Sequence, residues 1–235
     1  MVKIGQFEEL SSFEELDINE SVAVSSKLYN KIAVRAEQLV YNSYLAVGQT
    51  PTFPVEIALI ADYLRIDIQR KNLNPGGTTT FNKKLAVTTA TDDAVSIIVD
   101  SSVSYKTSRY AIANGIGRYL LNASKSMLKY SYAIPLIPQS LEEIAADSIA
   151  VFLLLPVTLF KDEFLRYLNE SKKSPLDVGR WLTHLSDVSQ ITPFNLAIGY
   201  QQMKQVLCYQ RQIEFAKYDY DVTKMPEDPY DKIFS

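Results

Sequence analysis

Three polar side chains at four-residue steps, Asn114, Arg118 and Asn122, run through the otherwise apolar stretch that follows Arg109. Positions i and i+4 stack above one another on a helix. That spacing does chemistry when both are imidazoles: two His grip a zinc ion, and a Glu beside the first acts as general base. Here those seats hold Asn114, Gly115 and Arg118. A guanidinium offers only donors and keeps its charge, so Arg118 cannot ligate a metal. A second group of able side chains, Glu142, Glu143 and Asp147, lies further along. His184 and Cys208 are the only residues of their types and stand outside any ligand spacing. One imidazole and one thiol leave a zinc site short of nitrogen and sulfur ligands. No Ser-His-Asp or Cys-His set assembles around the single His. Gly76-Gly77 lacks the Lys-Ser/Thr that a phosphate loop requires. No catalytic residue is assigned, and no metal or cofactor is expected.

The positioning elements follow from periodicity. Ile32, Ala36, Leu39, Tyr44 and Leu45 recur at helical spacing over Lys27–Val47, with Gly48 as a stop. Pro54–Leu64 reads as a second helix, with Pro54 as its first residue, Glu56 in its first turn, and Ile57, Ile60, Ala61 and Leu64 buried. Ile66–Gln69 alternates as a strand, and Asn74-Pro75-Gly76-Gly77 is a turn. Lys84–Thr88 and Val95–Val99 are β-branched runs separated by Thr91-Asp92-Asp93, which predicts a hairpin. Thr107–Ser124 is the helix of the polar ladder, with Ile112, Ile116, Tyr119 and Leu120 as its apolar face. Gly115 and Gly117 each cost about 1 kcal/mol there relative to Ala. Two such losses in one turn point to close backbone packing or a vacated site. Ser140 opens a helix to Leu155, Pro156 ends it, and Val157–Leu168 resumes. Ser174-Pro175-Leu176-Asp177 starts a helix through Trp181, Leu182 and Leu185. Ser186–Thr192 is expected as a turn before a last helix from Pro193 to Cys208. Past Lys217 the Tyr, Asp and Pro content argues for irregular chain.

Alternative readings stand beside these. Taken alone, Asn114 and Arg118 form a polar stripe facing solvent. Ser140-Leu141-Glu142-Glu143 is a capping box, in which Glu143 reaches back to the Ser140 N–H. His184 is expected on the surface or at a helix turn, and Cys208 as an apolar filler. The tyrosines, among them Tyr110, Tyr119, Tyr130 and Tyr132, suit core and rim packing or an interaction surface.

Composition narrows the classes. The chain has 235 residues, 47% of them apolar, enough for one large domain or two small ones. The longest apolar run, Ile149–Leu155, is too short to span a bilayer. Met1–Leu10 lacks a basic stretch followed by an apolar one, so no secretory leader is expected. A lone Cys allows no internal disulfide and fits a reducing cytosol. Residues 1–20 carry six acids against Lys3, and residues 217–235 five acids against three lysines. The overall charge of −3 therefore leaves +4 for the body between them. Acidic ends on a mildly basic body read as solvated tails, or as arms that contact a basic partner or the body. Phe7-Glu8-Glu9-Leu10 is echoed by Phe13-Glu14-Glu15-Leu16, a pattern able to form an amphipathic helix for a partner groove.

Taken in order, the motifs resemble the ImmA/IrrE family of metallopeptidase-like proteins over about residues 28–200. They are Pro54-Val55-Glu56-Ile57, Ile97-Ile98-Val99-Asp100, the stretch from Arg109 to Asn122, and Leu141 to Ala150 followed by Leu153-Leu154-Leu155-Pro156. The resemblance implies an α+β, minimal zincin-like domain: helices around a small three-stranded sheet, with a C-terminal helical extension. It implies a division into an acidic arm (1–25), the metallopeptidase-like domain (26–168), a helix-turn-helix-like segment (169–208) and an acidic tail (209–235). By its register Asn114 and Gly115 replace the first zinc ligand and the base, and Arg118 replaces the second ligand. Glu143 stands at the third-ligand position and Asp147 where an acid orients the first ligand. The expectation is that Arg118 has taken the cation's seat and pairs with Glu143.

Active members of that family relieve repression by acting on helix-turn-helix repressors in bacteria and their mobile elements. A member without zinc chemistry is expected to keep recognition and lose the cut. The expected function is a cytoplasmic pseudo-peptidase that sequesters a partner protein, a repressor or antitoxin-like DNA-binding protein. Other classes stay open. One is a peptidase with a site rearranged around Glu142, Glu143, Asp147 and Arg118. Another is a phage or plasmid inhibitor of a host defence protein. The last is a direct nucleic-acid binder using the basic body, for which Arg180, Lys204 and Arg211 are few.

Overall fold

The structure is a computed structural model that describes residues 26–75, 83–91, 94–123, 127–133, 140–171 and 178–210. The N-terminal arm with its Phe-Glu-Glu-Leu echo, Gly76-Gly77, the helix start at Ser174-Pro175, the C-terminal tail and the Cys208 side chain lie outside that description.

Helix α1 (Ser26–Leu45) buries Ile32, Ala33, Ala36, Leu39, Val40, Ser43 and Tyr44, one stripe at helical spacing. It stops where Gly48 adopts φ 69°, a left-handed conformation that glycine tolerates without a Cβ clash. Helix α2 (Ile57–Tyr63) begins later than expected. Pro54 lies outside it, because the Glu56 carboxylate accepts from the Ala58 N–H and so makes Glu56 the cap. The Tyr44 hydroxyl accepts from the Glu56 N–H at 2.6 Å and ties α1 to that cap.

The sheet has four strands, not three. β1 (Ile66–Lys71), β2 (Lys84–Ala90) and β3 (Val95–Asp100) are joined by β4 (Leu128–Ala133) in the order β1-β3-β2-β4. β1 runs parallel to β3, and β2 runs antiparallel to both β3 and β4. β4 has a strand's period-two alternation: Lys129 and Ser131 are exposed, and Tyr130 and Tyr132 face the other way. That signal is hidden when its tyrosines are counted only as packing residues.

Helix α3 (Tyr105–Leu121) is capped by Ser104, whose hydroxyl accepts from the Thr107 N–H. It lies between the sheet and helix α4 (Leu141–Leu154) and is buried continuously from Ser108 to Leu120. Its two glycines explain how it fits. A Cβ on Gly115 would fall 2.6 Å from Thr88 Oγ1 on β2. A Cβ on Gly117 would fall 2.7 Å from the Ala146 carbonyl on α4. Both contacts are far inside van der Waals separation, so the glycines let α3 approach the sheet on one side and α4 on the other. The polar stripe therefore does not face solvent: Asn114, Arg118 and Asn122 are buried.

Helices α5 (Val157–Ser171), α6 (Val178–Ser189) and α7 (Pro193–Tyr209) complete the described residues. Phe160 and Phe164 of α5 pack edge-on against Trp181 of α6, and Tyr200 of α7 leans on Phe160. Helix α7 rests on α1 and α4, so one core runs from Ile32 to Leu207. Each fully buried Leu, Ile or Phe in it contributes roughly 2 kcal/mol. The turn expected from Ser186 is helical to Ser189. Ser189 Oγ donates to the Leu185 carbonyl, and Ser186 Oγ donates to the Ile191 carbonyl across the helix end. Gln190, at φ 56°, makes the break. Among the described residues no single helix is long and apolar enough to cross a membrane.

Candidate functional site

The polar residues of α3 meet the acids of α4 and the tyrosines of β4 in one seat. Arg118 is only 3% exposed. Its Nη1 donates to Glu142 Oε1 at 3.1 Å. Its Nη2 lies 3.2 Å from Glu143 Oε1, an ion pair without the alignment of a hydrogen bond. The guanidinium sits 3.7 Å above the centre of the Tyr130 ring, a close cation–π contact. Asn122 Nδ2 donates to Glu142 Oε1 at 2.8 Å and to the Arg118 carbonyl at 3.0 Å.

The capping box and the ion pair at Glu143 coexist. Glu143 Oε2 accepts from the Ser140 N–H at 2.9 Å, and Ser140 Oγ accepts from the Glu143 N–H at 3.2 Å. The other carboxylate oxygen, Oε1, is the one beside Arg118. A carboxylate has two oxygens, so one can fix the helix start while the other faces the guanidinium.

One turn deeper, Asn114 Nδ2 donates to Asp147 Oδ1 at 2.7 Å, and the Tyr110 hydroxyl approaches the same oxygen at 3.4 Å. Asn114 Oδ1 is buried with no hydrogen-bond partner among the described residues. Burial pushes the Asp147 carboxyl up to about 6, against the opposing pull of Asn114, Arg118 and Tyr110. Glu143 adds to the upward push. Burial also drives the Tyr110 and Tyr132 hydroxyls well above their ordinary range, reinforced by the Asp147 charge. Tyr130 is raised by burial too, with Arg118 resisting.

This donor set does not fit zinc. Its ligand-capable groups are carboxylates, a guanidinium lies between them, and no imidazole or thiol is present. Gly115 leaves no room for a larger side chain beside Asn114, since a Cβ there would strike Thr88 and Ile97. Among the described residues no three of His, Cys, Asp and Glu gather at metal-binding distance. Chemically, the seat can hold charge balance and hydrogen bonds between two helices and an edge strand. Asp147, pushed up to about 6, is a group able to exchange a proton near neutral pH.

Three charged arrangements outside the seat went unread in the sequence. His184 is not at a turn, and its side chain is 31% exposed. It lies within α6, in ring contact with Tyr167 and Trp181, and its Nε2 meets Glu163 Oε1 at 2.5 Å. Glu163 also takes Arg166 through both Nε and Nη2. The Glu163–Arg166 spacing of i, i+3 on a helix was a readable signal. The approach of α6 was not. Arg109 is 1% exposed. Its Nη2 donates to the Val55 carbonyl at 2.7 Å and to the Ser189 carbonyl at 3.4 Å. Asp100, the acid that ends β3, is fully buried. Burial raises its carboxyl, but hydrogen bonds from Ser102 and Asn74 outweigh this and hold it below the usual range.

No family model matches the chain, and no curated protein or solved structure matches it. Any family resemblance therefore rests on the sequence motifs.

Proposed function

We propose that the protein is a pseudo-peptidase of the ImmA/IrrE kind, a zincin-like scaffold that binds a partner protein without cutting it. The observation that carries this reading is Arg118, buried between Glu142 and Glu143 and over Tyr130. Removing a cation from between these half-buried acids leaves like charges facing each other unpaired, a cost that water relieves only in part. A guanidinium in the same place offsets that cost and ends metal chemistry. The partner in this reading is a helix-turn-helix repressor or antitoxin-like protein, and sequestration is a binding free energy that competes with the partner's DNA or its dimer.

The test has two parts. Purified full-length protein is assayed for bound metal, and is incubated with a repressor encoded beside it. The expected result is no stoichiometric zinc and a complex in which the repressor stays intact. Stoichiometric zinc or a cleaved repressor would overturn the proposal. Descent from a metal site has its own check. Asn114→His combined with Arg118→His restores an i, i+4 imidazole pair facing Glu143, and is expected to bind one zinc ion. A folded double variant that ignores zinc counts against that ancestry.

A further inference from the structure

A cleft of about 680 Å³ opens between residues 52–54, helix α5 and the end of α6. It lies apart from the seat: none of its lining residues belongs to α3, α4 or β4. Its volume falls within the range of roughly 300–1,000 Å³ typical of ligand sites. Phe53, Leu159 and Val188 line it, each half-buried and backed by the core, so the apolar wall is preformed. Three acids, Asp162, Glu163 and Asp187, line it against one cation, Arg166. Arg166 is committed to Glu163 by three hydrogen bonds. Asp187 is 72% exposed, with Lys106 at 3.2 Å. Asp162 has no ion pair among the described residues. The unmet charge of the cleft is negative.

The cleft is also held in shape. Arg109 bonds both the Val55 and Ser189 carbonyls, each adjacent in sequence to lining residues on opposite sides. Gln190, another lining residue, occupies a left-handed position where glycine would be favoured. Its Nε2 donates to the Asp187 carbonyl at 2.6 Å. A rigid apolar wall under an acidic rim suits a side chain with an aliphatic stem and a cationic head.

We propose that this cleft docks a peptide segment in which a Lys or Arg stands beside a Leu-like residue. The apolar side chain lies on Phe53, Leu159 and Val188, and the cation reaches Asp162 and Asp187. The site stands whether or not the α3–α4 seat descends from a metal centre. The negative rim disfavours a nucleic-acid backbone.

The chain carries its own reporters. His184 and Trp181 are each the only residue of their type, and their rings lie 5.9 Å apart. Glu163, a lining residue, bonds His184 directly. The probe is acetyl-Gly-Leu-Arg-Leu-Gly-amide, with a counter-probe carrying Glu in place of Arg, titrated into labelled full-length protein and followed by NMR. The Arg probe is expected to move the His184 ring signals saturably, and the Glu probe to leave them unmoved. The Asp162→Asn/Asp187→Asn double variant weakens the Arg probe about fivefold. Asp62→Asn/Asp67→Asn makes the same charge change at residues that do not line the cleft and leaves affinity unchanged. Equal movement by both probes, equal weakening in both double variants, or no saturable shift at millimolar probe overturns the proposal.

Discussion

Arg118 and Arg109 lie on one helix, and both are shut off from water. Arg118 is surrounded by two carboxylates and has an aromatic ring beneath it. Arg109 meets carbonyls and stands over the Tyr105 ring, 5.6 Å from its centre, and no carboxylate pairs with it among the described residues. One arginine thus sits in a balanced charge cluster, while the other cross-links a loop to a helix end. Burial alone does not mark a functional cation. The kind of group that answers the charge separates a seat shaped around a positive ion from a structural tie.

The sharpest way to break this contrast is Arg118→Met. It removes the countercharge of Glu142 and Glu143 while keeping most of the volume. The carboxylates are 36% and 24% exposed, so water relieves part of the loss. The expected destabilisation is about 2–3 kcal/mol, below that of a fully buried pair. Urea unfolding at pH 7 measures it. Arg118→Lys keeps the charge but loses the fork, and is expected to recover only part of it. A loss under about 0.5 kcal/mol for Arg118→Met would mean that the cluster does no electrostatic work.

Asp147 sharpens the comparison through pH. Its folded value, about 6, lies above the ordinary 3.8. The fold therefore favours the protonated form. That stabilisation is complete below about pH 4 and is lost as pH rises through about 6. By pH 7 ionisation costs on the order of 2–3 kcal/mol. Asp147→Asn removes the titration and brings a donor to the side of Asn114, whose Oδ1 has none among the described residues. The variant is expected to match the natural protein near pH 4 and to exceed its stability at pH 7. Parallel stability profiles from pH 4 to 7 would refute the assignment.

These residues differ in how far the sequence disclosed them. The i, i+4 ladder was legible because helical spacing is local, and so was the Ser140–Glu143 cap. That the ladder is buried was not, because burial of Arg118 depends on β4, and β4's alternation was masked by aromatic residues. The two glycines announced a close approach without saying to what; Thr88 and Ala146 supply the answer. Arg109, in the opening turns of α3, enters the sequence reading only as the first residue of a motif. Its carbonyl partners lie far away in sequence, beyond the reach of any periodicity. The meeting of Glu163 with His184 is tertiary in the same way.

Arg109→Met probes the other half of the contrast. Two buried carbonyls lose their donor, at about 1–3 kcal/mol. The same change removes a buried charge that lacks an anion, a relief of similar size. The expected net change in stability is within about 1 kcal/mol. Amide exchange around Val55 and Ser189 should nevertheless quicken, because the tie between those segments is gone. A loss as large as that of Arg118→Met would erase the distinction between the two arginines.

The smallest effect separates the two aromatic contacts. Tyr130→Leu takes away a ring 3.7 Å from the Arg118 guanidinium, in a half-buried setting. Tyr105→Leu takes away one 5.6 Å from Arg109, on a side chain that is mostly in water. Cation–π attraction is worth about 0.5–1 kcal/mol at exposed sites and up to about 2 when desolvated. Tyr130→Leu should therefore cost about 1 kcal/mol and Tyr105→Leu under about 0.5. Leu replaces most of the apolar area in both, so the difference between the two variants reports the ring face itself. If Arg118 is neutralised first by Arg118→Met, the Tyr130 effect should shrink towards that of Tyr105, and a double-mutant cycle reads out the coupling. A Tyr130 cost that persists without the guanidinium would assign the ring to packing alone and leave the carboxylates as the sole answer to the Arg118 charge.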